Sequence, residues 1–224
     1  MGRHVTAPVQ RIVAVSPDDG AAIDLRDPAM AALLSWLVPG LGQLWQGRRR
    51  KGWLFMASLV GTLVAGLWIG GGTVAYCQWR PGARRVEFLG QAGIGLVAVP
   101  ALIQSWSLAA MGRPFLPGGA FAPPLVQHQP VAPAYAARLE RTQPDMAFYR
   151  DIRDGTLRSG TDQLSAWYLR LGRFFDIGTL YVTVAGLLNM LVVYDALAGP
   201  LHDAGPAEKE PAAGRRGRRR EPGP

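Results

Sequence analysis

The chain has 224 residues, with 24 lysines and arginines against 16 acidic residues, a formal charge of +8. Cys77 is the sole cysteine, which excludes an intrachain disulfide and a thiolate metal site, and His4, His128 and His202 stand at unrelated spacing. Mean hydropathy is only +0.08, yet apolar residues gather in four charge-poor blocks, whereas a water-soluble core would spread them at helix or strand period.

Residues 1–27 lack the apolar centre of a signal peptide. They are expected to form a flexible N-terminal tail, although residues 9–17 could make a short strand. Asp27 as N-cap and Pro28 at the first helical position then open a helix. Residues 28–47 carry no charge and predict a first membrane span near 29–46. Pro39 removes a backbone donor and clashes with the preceding turn, so this helix kinks or breaks near Val38. A kinked span and a shallow re-entrant segment are both compatible with that break, and the span is the favoured reading.

Four cations, Arg48, Arg49, Arg50 and Lys51, sit between Trp45 and Trp53. Indole rings on both shoulders of a basic turn suit the water–lipid boundary, so these six residues form the expected headgroup-anchoring turn. A second span is expected near 53–75. Ala57, Gly61 and Ala65 recur at every fourth residue and Gly66 pairs with Gly70, a pattern that lets helix backbones approach closely. Gly70 to Gly72 should fray its end, with Tyr76 and Trp79 at the second interface.

A third span near 91–111 should kink at Pro100 and carries Gln104 inside it. Residues 114–137 include Pro114, Pro117, Pro123, Pro124, Pro130 and Pro133; they read as an extended, polyproline-like linker, followed by a polar loop to residue 160 with one short helix near 146–152. From residue 161, Leu164, Trp167, Tyr168 and Leu171 share one helical face, expected to lie in the headgroup plane, or else on the chain's own loops.

Residues 175–198 predict a fourth span. Asn189 lies inside it and should hydrogen-bond to a facing helix, while Asp195, near its end, reads first as a headgroup-level carboxylate. With Gln104, these are the candidate polar intramembrane residues. Residues 201–224 form an expected disordered basic tail.

The fold class expected is therefore all-α: an integral membrane protein with about four transmembrane helices, the first two a tight hairpin, plus an interfacial amphipathic helix and disordered tails. Lysine and arginine placement puts the Arg48–Lys51 turn and the long 113–172 loop inside, with the N-terminus, the Arg80–Arg85 loop and the tail opposite.

The run PGLGQLWQGRRRKGWLF, residues 39–55, resembles the hairpin of the small two-transmembrane-helix domain family, and the similarity extends over roughly residues 31–70. It implies a membrane helical hairpin without catalytic activity. The segment GTLYVTVAGLLNMLVVYDALAGP, residues 178–200, resembles the closing segment of an uncharacterised bacterial membrane-protein family that carries the same hairpin. Asn189, Asp195 and Pro200 match it but inherit no role. The usual two-helix domain ends after its second span, whereas this chain continues through two more.

No metal-binding, nucleophile-elbow or phosphate-loop motif is present, so no enzyme activity, cofactor or metal is expected. The lipid bilayer is the expected partner, with a homo-oligomer or membrane-protein partner beside it; no nucleic acid is expected, and no small-molecule substrate is identifiable. The location expected is the bacterial inner membrane. A non-enzymatic scaffold or assembly role is the first functional reading; a transport or channel component, with Gln104, Asn189 and Asp195 along a polar path, is the alternative.

Overall fold

The computed structural model describes residues 13–15, 22–24, 27–80 and 83–198. Tail residues 199–224, with Pro200 and the terminal arginines, lie outside them, as do most of residues 1–26. Where a flexible N-terminal tail was expected, with a short strand over residues 9–17 as the alternative, β1 (Val13–Val15) pairs antiparallel with β2 (Ala22–Asp24).

The chain then folds mainly as helices. Helix α1 (Pro28–Leu37) opens as expected, Asp27 Oδ1 accepting from Met30 N at 2.9 Å. It ends at Val38, in extended backbone, and Gly40 takes φ +82. Only glycine adopts that conformation freely; a Cβ there would also collide with the Gly52 carbonyl oxygen. Helix α2 (Leu41–Trp45) comes next. After the basic turn, α3 (Arg49–Phe55), a π segment (Met56–Val60) and α4 (Gly61–Ile69) form one continuous helix of 21 residues. Gly71 and Gly72 at positive φ end it. A short hairpin, β3 (Trp79–Arg80) and β4 (Ala83–Arg84), leads into α5 (Glu87–Gln91) and α6 (Gly95–Met111).

Beyond a 3₁₀ turn (Pro117–Gly119) lie α7 (Pro133–Thr142), the hairpin β5 (Phe148–Arg150) and β6 (Leu157–Ser159), and α8 (Gln163–Leu171). The chain closes on α9 (Arg173–Ala198), 26 residues long. The continuous 49–69 helix and α9 are the two described helices long and apolar enough to cross a membrane.

Helix α9 is the axis of the bundle. The 49–69 helix runs antiparallel to it: Lys51 reaches Asp195 near one end, and Gly66 meets Tyr181 and Val182 toward the other. The first expected span, 29–46, is not one helix. Ser35 Oγ donates to Gln43 Oε1 at 2.9 Å, and Gly42 sits so tightly on Ala31 that a Cβ would strike its carbonyl oxygen. In a continuous helix residues eleven apart stand about 16 Å from one another, so α2 doubles back along α1. The tip of this arm reaches only Asn189, partway along α9.

Of the third expected span, 91–111, residues 95–111 form one helix, α6, and a break at residues 92–94 turns the chain away from α5. Helix α5 descends α9 from Arg85, beside Thr179, to Gly93, beside Gly186. The chain turns there, and α6 starts against Trp36 and Leu37. It then runs back to pack Val97, Ala98 and Ala101 near Val74 to Cys77 and Phe88. Pro100 sits within it as expected. Two bent arms thus approach the middle of α9 from opposite ends and touch there.

Residues 113–172 do not form an extended linker with a loose loop. Leu125, Val131, Tyr135, Ala136, Leu139 and Met146 make a core with Leu108 of α6. The prolines place the backbone instead of unravelling it: Pro133 starts α7, and Pro130 bridges to Arg158. The short helix expected near 146–152 is strand β5, whose turn is closed by Arg158 on Asp151 (2.8 Å) and Asp154 (2.7 Å). Hydrogen bonds from Thr156 hold the Asp154 carboxyl down at about 2. Helix α8 turns Leu164, Trp167 and Leu171 onto Tyr76 and Phe175, so the protein core rather than a headgroup plane takes its apolar face.

This unit sits at the N-terminal end of α9 together with Arg85, while the Arg48–Lys51 turn sits at the other end. The turn and the long loop, expected on one side, thus lie at opposite ends of α9, because the first and third expected spans are both bent.

Cys77 falls just after the second expected span, next to the Tyr76 and Trp79 rings expected at an interface. It lies 6 % exposed among Phe88, Ala98 and Ala101. An impermeant maleimide is expected to leave it unlabelled in intact cells and in the folded, detergent-purified chain, and to label it stoichiometrically after denaturation in dodecyl sulfate. A gel-shift reagent reads this directly; labelling of the folded chain would contradict the packing.

Candidate functional site

Three polar loci lie along α9. At its C-terminal end the basic turn splits into two pairs. Arg48 folds inward, only 5 % exposed, and Lys51 leans the same way; Arg49 and Arg50 point outward. Arg48 Nη1 stands 2.9 Å from Asp195 Oδ2, Arg48 Nη2 donates to Oδ1 at 3.1 Å, and Lys51 Nζ lies 2.6 Å from Oδ1. Gln43 Nε2 donates to Oδ2 at 3.2 Å. Asp195 is thus more than an isolated boundary carboxylate: it is the counter-ion that locks the turn onto α9. Trp45 and Trp53 are exposed on its flanks.

Midway along α9, Asn189 is fully buried. Its Nδ2 donates to Ser35 O at 3.0 Å and to Gly93 O at 2.9 Å. A helix leaves its last carbonyls without partners; the Ser35 oxygen lies in the last turn of α1, and the Gly93 oxygen in the turn just past α5. Trp36 Nε1 serves Ala92 O in the same way at 2.9 Å. Asn189 does bond to facing helices, but to their broken ends. Below it, Gln43 Nε2 donates to Val192 O and Gln46 Nε2 to Ala196 O, each at 2.8 Å. Gln104 belongs to another place: its Nε2 donates to Ala120 O and its Oε1 accepts from Phe115 N and Leu116 N, so it shapes the loop after α6.

The stripe of small residues is only partly the packing face. Ala57 and Gly61 face outward, and nothing lies within 4 Å of a Cβ on Gly61; Ala65 is half-buried. The face against α9 is Leu59, Leu63, Gly66 and Gly70. Gly61→Ala is expected to be neutral or slightly stabilising, since alanine is the better helix former by about 1 kcal/mol. Gly66→Ala drives a methyl against Tyr181 Cβ at 2.8 Å and is expected to cost about 1–3 kcal/mol by overpacking. Thermal melting of both variants in detergent checks the ordering.

The third locus was not foreseen. At the N-terminal end of α9 a cavity of about 630 Å³ opens between the β3–β4 hairpin, residues 124–127, α8 and α9. Its notable member is Arg85, 8 % exposed. The guanidinium lies 3.8 Å over the Tyr76 ring, Nη2 donates to Thr179 Oγ1 at 3.1 Å, and Glu87 stands 4.0 Å from Nε. Among the described residues Nη1 has no hydrogen-bond partner. Burial pulls the Arg85 pKa down and pushes the Tyr76 phenol up to about 12. The only sequence signal was Arg85 itself, an arginine in a short loop between apolar blocks.

A family model described as Family of unknown function (DUF6677) matches residues 30–209, 180 of the 224 positions. The chain belongs to that family. The DUF6677 match takes in all three polar loci. No curated protein and no solved structure matches the chain.

Proposed function

We propose that this DUF6677 chain is an integral membrane protein with a non-enzymatic scaffold or assembly role, holding the 113–172 unit at one membrane face. The 49–69 helix and α9 are its two full spans, and α1–α2 and α5–α6 are re-entrant arms from opposite faces. The two-helix hairpin resembled by residues 39–55 is then a span preceded by a re-entrant arm. Exposed apolar side chains support the bilayer placement: Leu54, Val64 and Trp68 on one span, Leu180, Leu187, Leu191 and Leu197 on the other. So do exposed aromatic rings near both ends, Trp45, Trp53 and Tyr194 against Trp68, Trp79 and Tyr181. Trp53 and Trp68 are separated by roughly 22 Å of helix, and the arms meet between those levels. The outward Arg49 and Arg50 favour the cytoplasm for the Arg48–Lys51 end, in a bacterial inner membrane.

One observation carries the scaffold reading: where the arms meet, backbone lies on backbone. A Cβ on Gly93 would strike the Gly186 carbonyl, one on Gly186 the Gly90 carbonyl, and Asn189 Nδ2 is taken by helix ends, while its buried Oδ1 has no partner among the described residues. The site is closed and serves cohesion. Broken helices meeting at mid-membrane also occur in transporters, which keeps transport as the second reading. Reconstitution separates them. Liposomes holding the chain should leak ions and small solutes no faster than empty ones, and Asp195→Asn should leave its co-purifying partners unchanged. Flux that Asp195→Asn abolishes would replace the scaffold with a transporter.

A further inference from the structure

The cavity at the N-terminal end of α9 is charged in both senses. Arg84 and Arg85 line it on one side, Glu87, Asp162 and Asp176 on the others. Its size falls within the range of ordinary small-molecule sites, about 300–1,000 Å³. Arg85 cannot be dismissed as a structural ion pair. It is more than nine-tenths buried, its nearest carboxylate oxygen is 4.0 Å away, and Nη1 is unpartnered among the described residues. A buried guanidinium is stable only when its charge and donors are answered. An anion would answer it, but an anion alone would face three carboxylates. A plain cation would leave the guanidinium unanswered. A ligand carrying both charges meets both requirements.

We infer that this cavity binds the zwitterionic headgroup of a phospholipid bearing a primary ammonium, with phosphate on Arg84 and Arg85 and ammonium among Glu87, Asp162 and Asp176. The inference rests on the bilayer placement proposed above. The depth fits it: Thr179, which Arg85 touches, lies between Phe174 and Tyr181, two exposed rings on α9. Deeper along the same helices, Val86 and Leu89 of the α5 region and Leu180, Val184 and Leu187 of α9 are exposed apolar side chains against which acyl chains can lie. A primary ammonium suits the site better than a trimethylated one. The Tyr76 ring is covered by Arg85, and Phe175 packs against Trp167 and Tyr168, so no open aromatic box remains among the described residues. Carboxylates, in contrast, take ammonium hydrogen bonds directly.

Native mass spectrometry of the full, delipidated chain in mild detergent tests this with three probes of matched acyl chains: phosphatidylethanolamine, phosphatidylglycerol and phosphatidylcholine. Phosphatidylethanolamine is expected to be retained about tenfold more than either, the discrimination that one charge-assisted contact supplies. Arg84→Gln should lower retention of all three. Because Arg85 is buried and its substitution can unfold the chain, the rim double variant Asp162→Asn/Asp176→Asn is the decisive one. It should keep the lipid-free melting temperature and move the preference toward phosphatidylglycerol. Free phosphoethanolamine at equal concentration should not displace the lipid. Displacement would assign the cavity to a soluble ligand and overturn the lipid reading. Equal retention of the three lipids overturns the inference while leaving a membrane-embedded chain. Recovery of the chain in the supernatant without detergent would instead overturn the bilayer placement.

Discussion

Gly186→Ala is expected to be among the most damaging single-methyl changes in the bundle. The new Cβ would enter the Gly90 carbonyl oxygen and press on Gln91 Cα at 3.1 Å. Most overpacked sites relax by rotating a side chain, but here both walls are main chain. The helices α5 and α9 must move apart, and the displacement would pull the Gly93 carbonyl away from Asn189 Nδ2, now 2.9 Å distant. Overpacking costs about 1–3 kcal/mol where neighbours can give; with rigid neighbours the upper end is expected, roughly 3 kcal/mol. Thermal or dodecyl-sulfate unfolding of the purified variant measures it, with Gly61→Ala as the open-space control. A Gly186→Ala chain as stable as the Gly61→Ala chain would mean that the arms do not meet there.

The contrast between these glycines shows what a single sequence can and cannot display. Absence of charge over residues 53–75 and its near-absence over 175–198 are local properties set by the solvent, so the two long helices were legible. The break at Pro39 was legible as well, because proline acts on its own turn. The direction of the chain after the break was not. Whether residues 41–45 continue onward or return depends on Ser35 meeting Gln43 and on α9 offering Val192 and Ala196 carbonyls, contacts with partners up to 150 positions away.

Small-residue spacing had the same defect. A stripe at every fourth residue fits any face of a helix, and Ala57 and Gly61 occupy the outward one. The compact 113–172 unit is hidden in the sequence for a different reason: the six prolines of residues 114–137 exclude a long helix but not a compact fold, since each can sit at a first turn or in a loop. Arg85 was invisible as a site because its surroundings come from separate segments of the chain.

Asp195→Ala is the second large expected effect. Removing the carboxylate leaves the Arg48 guanidinium, 5 % exposed, without a counter-ion, and Gln43 Nε2 without one of its two acceptors. Breaking a buried pair by deleting one partner costs about 3–5 kcal/mol. Asp195 is 24 % and Lys51 32 % exposed, and Lys51 can turn outward, so the lower end, roughly 3 kcal/mol, is expected. Asp195→Asn keeps a hydrogen-bond acceptor and should cost about half as much, roughly 1–2 kcal/mol. Arg48→Met with Asp195→Leu removes both charges together. If the pair is a lock whose desolvation nearly cancels its attraction, that double variant should recover most of the stability lost in Asp195→Ala. Unfolding of the parent, Arg48→Met, Asp195→Leu and the double variant in one detergent completes a double-mutant cycle. Additive losses, with no recovery in the double variant, would show that Arg48 and Asp195 act independently and that their pairing does not lock the turn onto α9.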